Sequence, residues 1–154
     1  MHGPVVRRLA KFIVLAELDL RLLVQAFATL ALAQVLLRMW SIDRLRAWCG
    51  RTKSGNRSVD RIAWAVSSAS QWTPGASCLP SAMALQRLLS ANAHSSELCI
   101  GVAKDGQALV AHAWVVCEGE VRIGAHEPAT YTPLMAWPVA GPIVKRSAAA
   151  ADPR

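Results

Sequence analysis

An α+β fold, with helices first and an antiparallel sheet after them, is what this sequence predicts, on three observations. Leu and Ala dominate the stretch from Val5 to Trp48. Val59, Ile62, Ala63 and Val66 then fall at i, i+3, i+4 and i+7, one face of a helix. From Leu98 the apolar period drops to two, and Asp105-Gly106 and Glu118-Gly119 supply turn signals between alternating runs.

In chain order, Val5 to Trp48 reads as two or three helices. The uncharged run Leu22–Leu37 covers 16 residues, includes Gln25 and Gln34, and is closed by Arg21 and Arg38. It falls short of the about 20 residues of a membrane span and reads as a buried helix, with membrane contact as the alternative. Residues 51–58 form a polar, basic, glycine-containing loop. They place a boundary between an N-terminal helical, basic region (1–57) and a core (58–146), with a disordered tail at 147–154. The helix from Val59 ends near Ser70, and Thr73-Pro74-Gly75 makes a turn. A further helix then begins at Cys78, with an apolar stripe at Ala82, Leu85, Leu88 and Leu89. Pro80 is no obstacle, because proline suits the first helical turn, where its missing N–H costs nothing. Three strands follow: one around Leu98–Val102, a second from Ala108 to Cys117, and a third from Glu120 to about Ala125.

At 154 residues the chain is long enough to bury a core without staples. Apolar residues make up 53%, and the mean hydropathy of +0.28 is high, so the core is well supplied or a surface is covered by a partner. There is no secretory signal, which points to the cytoplasm, with membrane association through residues 22–37 as the alternative. Cys49, Cys78, Cys99 and Cys117 lie 29, 21 and 18 residues apart, so no zinc-ligand spacing occurs and neither metal nor cofactor is expected. Residues 1–61 hold eleven Lys/Arg against four acids, whereas residues 62–154 hold six of each. Such a basic half suits an acidic peptide, a protein partner or an anionic surface, with Arg51, Lys53 and Arg57 as candidate partner-binding residues. Aromatics interleaved with bases are sparse there, which speaks against nucleic acid.

Chemistry centres on two residues. A thiol is a nucleophile only as thiolate, and a helix N-terminus favours that negative charge. Cys78 is the only cysteine placed at one. His112 lies mid-strand between alanines, where a polar ring needs a partner. A two-residue turn at Asp105-Gly106 puts His112 opposite Cys99, on a face carrying Cys99, Gly101 and Ala103. These small residues leave room for a helix end to approach. Cys99 is thereby a rival nucleophile, although a strand interior gives it no helix dipole. A two-residue turn at Glu118-Gly119 puts Ala125 opposite His112 and Glu127 on the same face, as the candidate acid that orients the imidazole; His126 points the other way. The Cys78 backbone N–H would hold an oxyanion, with Gln71 as a second donor.

A helix-start cysteine followed by a strand histidine resembles the chain order of papain-like and transglutaminase-like thiol enzymes. More specifically, four segments in order resemble the B protein of lasso-peptide maturation, a transglutaminase-like leader peptidase. They are Cys78–Leu89, Ile100–Asp105, Ala111–Val115 and Tyr131–Leu134, within a resemblance covering about residues 58–137. The resemblance implies a cysteine peptidase core with the Cys-bearing helix packed on an antiparallel sheet, and Cys78 and His112 as nucleophile and base. It further implies a precursor peptide as substrate and an asparagine-synthetase-like cyclase as partner. It also implies a separate small leader-recognition protein, because too little chain precedes the core for a fused one. The family often carries an aspartate twelve residues after the histidine, and Gly124 stands there. Either Glu127 substitutes, or a backbone carbonyl or water orients the ring. The competing expectations are a transamidase or acyltransferase on the same pair, and a non-catalytic basic scaffold docking partners or membrane.

Overall fold

The computed structural model describes residues 4–105, 108–124 and 131–141. Four helices precede four strands: α1 (Pro4–Met39), α2 (Ile42–Cys49), α3 (Val59–Trp72), α4 (Cys78–Ala91), β1 (Ser96–Asp105), β2 (Ala108–Cys117), β3 (Glu120–Ile123) and β4 (Thr132–Val139). The strands form one antiparallel sheet in the order β3-β2-β1-β4. Three consecutive strands with the fourth returning beside the first is Greek-key order. The α+β reading holds, and the tail at 147–154 lies outside the described residues.

At 1.5 Å per residue, the 36 residues of α1 extend about 54 Å. Leu22, Ala26, Leu30, Ala33 and Leu36 recur at helical spacing and are buried, where α1 packs on α3 and α4. The opposite face exposes Leu20, Val24, Val35 and Met39. The helix expected to be buried is therefore buried along one face only. By length and composition, Asp19–Met39 is apolar enough to cross a membrane.

Helix α4 is the hub. It contacts α1, α2, α3, β1, β2 and β3, and ten of its fourteen residues are buried. Met83, Leu85 and Leu89 are fully buried, each worth about 1.5–3 kcal/mol against exposure. Gln86 is buried with them, and its Nε2 donates to the Trp137 carbonyl at 2.6 Å, tying α4 to β4. One cluster of buried side chains runs from Leu22 through the helices to Trp137. Arg122 on β3 pairs with Asp60 on α3 at 2.7 Å and with Glu120 at 3.2 Å, pinning the sheet edge to α3.

The sheet departs from the expected pairings in two ways. Asp105 pairs with Ala108, so the first turn falls one residue later than the Asp-Gly signal placed it, each partner shifts by two, and His112 faces Gly101 rather than Cys99. A shift of two keeps side chains on their face, so Cys99, Gly101 and Ala103 still share the face of His112. The second turn is where it was expected, with Cys117 opposite Glu120, but the register slips by one between Val115 and Val116. The third strand accordingly ends at Ile123 rather than about Ala125. The described pairing stops at Ile123; Ala125 and Glu127, expected on the face of His112, lie outside the described residues.

Candidate active site

The site is assembled where α3 ends and α4 begins. Thr73 Oγ1 donates to the Ala69 carbonyl at 2.8 Å, and the Ala76 N–H donates to the Thr73 carbonyl at 3.2 Å, closing the turn between the helices. Helix α4 then opens on Cys78, with Ser77 as its N-cap residue in extended conformation. An N-cap hydroxyl ordinarily accepts from the second or third N–H of the helix. Here the third residue is Pro80, which has none, and the Ser77 hydroxyl makes no cap hydrogen bond. No acid lies in the first turn to neutralise the positive helix end. The backbone N–H groups of Cys78 and Leu79 are thus among the donors a helix start leaves unsatisfied.

Strand β2 supplies the histidine. His112 pairs with Gly101, and its ring stacks on Tyr131, centroids 5.3 Å apart and planes at 24°. Tyr131 also meets Trp114 at 5.8 Å, so the strand's two inward rings share one aromatic neighbour. An open cleft of about 290 Å³ is lined by Cys78, His112, Gln71, Ser81, Ile123 and Gly124 together with their neighbours on α3 and the turn. Three residues singled out from the sequence, Cys78, His112 and Gln71, therefore meet in one cleft. Both Cys78 and His112 are half-buried, so a peptide can reach them. Among the described residues the two make no direct hydrogen bond, a looseness common where substrate is needed to tighten the pair.

The rival thiols are placed differently. Cys99 pairs with Trp114 on β1 and does not line the cleft; burial and the nearby Glu97 push its pKa up. Burial raises Cys49 to about 12 and, with Glu118, also raises Cys117. A raised pKa means less thiolate and a poorer nucleophile.

The third member of a triad turns on two positions, Glu127 and Gly124. Glu127 lies outside the described residues. Gly124, where the resemblance leads one to expect an aspartate, has φ +103°, a region L-residues rarely enter. A Cβ there would sit 2.5 Å from the Ala113 carbonyl oxygen and 2.6–2.7 Å from Cβ and Cα of Trp114. The volume an aspartate side chain would enter is filled by the backbone of β2. Among the described residues, the Tyr131 ring stacks on His112. Sequence reasoning quoted Tyr131 only as part of a family segment, and its signal was its being the chain's one tyrosine, just ahead of a strand.

Of the basic candidates, Lys53 and Arg57 line a different, larger cleft, and Arg51 offers its carbonyl to Arg87 at 2.8 Å. Among the described residues no group of three or more His, Cys, Asp or Glu is placed to hold a metal ion.

A family model for the transglutaminase-like superfamily matches residues 14–136. No curated protein and no solved structure gives a match.

Proposed function

Since this chain belongs to the transglutaminase-like superfamily, whose members are typically cysteine-dependent hydrolases or transferases, we propose that it is a cysteine peptidase with Cys78 as nucleophile and His112 as base. The observation that carries this reading is the single cleft onto which the uncapped start of α4, the His112 imidazole and Gln71 converge. The reaction is acyl transfer. Cys78 thiolate attacks the peptide carbonyl, and the oxyanion is held by the Cys78 backbone N–H, with Gln71 as a second donor. The imidazolium of His112 protonates the departing amine as the C–N bond breaks. Water, deprotonated by His112, then hydrolyses the thioester and frees the thiol.

The four-segment resemblance supports a narrower assignment: removal of the leader from a ribosomally made lasso-peptide precursor. The protein would act beside a small leader-recognition protein and an asparagine-synthetase-like cyclase. The test is incubation with a leader–core precursor, with and without those two proteins, followed by mass spectrometry. Two fragments whose masses sum to the precursor plus one water support the peptidase. A product in which an added amine replaces that water identifies a transamidase. No covalent change under any combination refutes both and leaves a scaffold.

A further inference from the structure

A second cleft, of about 580 Å³, lies at the other end of α4, against α1 and the loop of residues 51–57. Ligand clefts commonly span about 300–1,000 Å³. Three cations line it, Lys53, Arg57 and Arg87, and among the described residues no carboxylate lies within ion-pair distance of any of them. Arg57 is held by Gln25 of α1, a neutral partner. Arg87 is half-buried, with its guanidinium 5.9 Å from the Trp48 ring. Between the cations the wall is mixed, with Trp48, Leu32 and Leu88 as its apolar part beside Gln25, Thr29, Asn56 and Asn92.

This cleft is built rather than incidental. A basic glycine-containing loop is expected to be mobile, yet this one is bonded to the end of α4. The Lys53 N–H donates to the Ser90 carbonyl at 3.1 Å, the Gly55 N–H to the Ala91 carbonyl at 3.2 Å, and the Arg57 N–H to Asn92 Oδ1 at 3.2 Å. A Cβ on Gly55 would sit 2.3 Å from Asn92 Oδ1 and 2.7 Å from the Ala91 carbonyl oxygen, so only glycine allows this approach. The backbone carrying Lys53 and Arg57 is thus fixed at the rim before any ligand arrives, which lowers the ordering cost of binding.

We infer that this groove docks an acidic segment of the peptide substrate, distinct from the segment being cleaved. The inference rests on the peptidase reading above. Three unneutralised cations call for carboxylates, and the apolar part of the wall between them suits the side chains of a peptide better than a bare polyanion. A concave cleft also fits a chain better than it fits a flat bilayer. Arg87 lies nine residues beyond Cys78 on the same helix, about 14 Å along its axis at 1.5 Å per residue. An extended chain covers about 3.3–3.6 Å per residue, so the acidic residue stands at least about four residues from the scissile bond.

The test uses Cys78→Ala protein, which cannot turn over, and two fluorescein-labelled ten-residue peptides alternating leucine with glutamate or with glutamine. Anisotropy should show the glutamate peptide binding at least about tenfold tighter at low salt, with the difference shrinking as screening shortens to about 8 Å at physiological ionic strength. Lys53→Glu/Arg57→Glu in that background should abolish the preference. Equal binding of the two peptides, or an unchanged preference in the double reversal, overturns the inference. So does a reversal that spares peptide binding but releases the protein from phosphatidylglycerol vesicles. Alkylation of Cys78 in wild type, with Lys53 and Arg57 in place, separates the two readings. A reactive Cys78 in wild type, with no glutamate preference in the Cys78→Ala protein, sinks the groove alone, and peptide preference without any peptide hydrolysis by wild type sinks the peptidase alone.

Discussion

Gly124 offers the sharpest perturbation, because resemblance and structure make opposite forecasts for it. If the position simply lacks a triad aspartate, Gly124→Asp should strengthen the site. The structure forecasts damage. Its φ of +103° is strained for any L-residue, a cost of order 1–3 kcal/mol. The new Cβ would also meet backbone and Cβ atoms at 2.5–2.7 Å, which cannot swing aside as a side-chain tip can. Overpacking of that kind costs about 1–3 kcal/mol. Together, a loss of roughly 2–6 kcal/mol is expected for Gly124→Ala and at least as much for Gly124→Asp, a large part of the about 5–15 kcal/mol a domain has. For a chain of this size that lowers Tm by about 5–20 °C. Thermal and urea unfolding of both variants, paired with hydrolysis rates, give the answer. Wild-type stability with raised activity in Gly124→Asp would refute the reasoning and reinstate the missing acid.

Other substitutions probe the rest of the site. His112→Ala should slow hydrolysis by about two to four orders of magnitude, the usual worth of general acid–base help, and slow alkylation of Cys78 alongside it. Tyr131→Ala should cost about 0.5–1.5 kcal/mol of ring stacking, seen as a several-fold drop in kcat, whereas Tyr131→Phe keeps the stack and the rate. Glu127→Gln should cost less than loss of either Cys78 or His112; no loss at all removes it from the site. Cys49 contributes to the alkaline limb of stability. Its thiol is pushed up to about 12 by burial, from an ordinary value of 9.0. Below pH 9 both states are neutral and nothing changes. Between pH 9 and 12 only the unfolded chain ionises, so stability falls by up to roughly 4 kcal/mol, and Cys49→Ala should flatten that slope in urea melts.

How legible the molecule was depends on the kind of signal. The start of α4 could be read because Cys78-Leu79-Pro80 is local chemistry, with a proline that suits a first turn and an apolar stripe after it. The face of His112 survived an error in register because the pairing moved by two residues, and strand side chains repeat with period two. The bulge at Val115/Val116 has no comparable sequence mark. Strand β4 was missed because Pro133 and Pro138 argue against a strand, whereas an edge strand tolerates them. The exposed face of α1 was hidden because Leu20, Val24 and Val35 are as apolar as the buried Leu22, Leu30 and Leu36. The closure of Gly124 against β2 and the stack of Tyr131 on His112 arise from long-range contacts, which no local pattern encodes.

Whether Cys78 is the nucleophile is most directly measured by treating the protein with limiting iodoacetamide, mapping each cysteine by mass spectrometry over time, and following hydrolysis of a leader–core precursor in the same samples. Cys78, alone among the four thiols in lining the cleft with His112, should be modified first, and activity should fall with the same rate constant as its alkylation. Cys78→Ala should be folded and inactive, and Cys99→Ala active. Activity that persists after Cys78 is fully alkylated, or that disappears in step with Cys99 instead, would contradict the assignment.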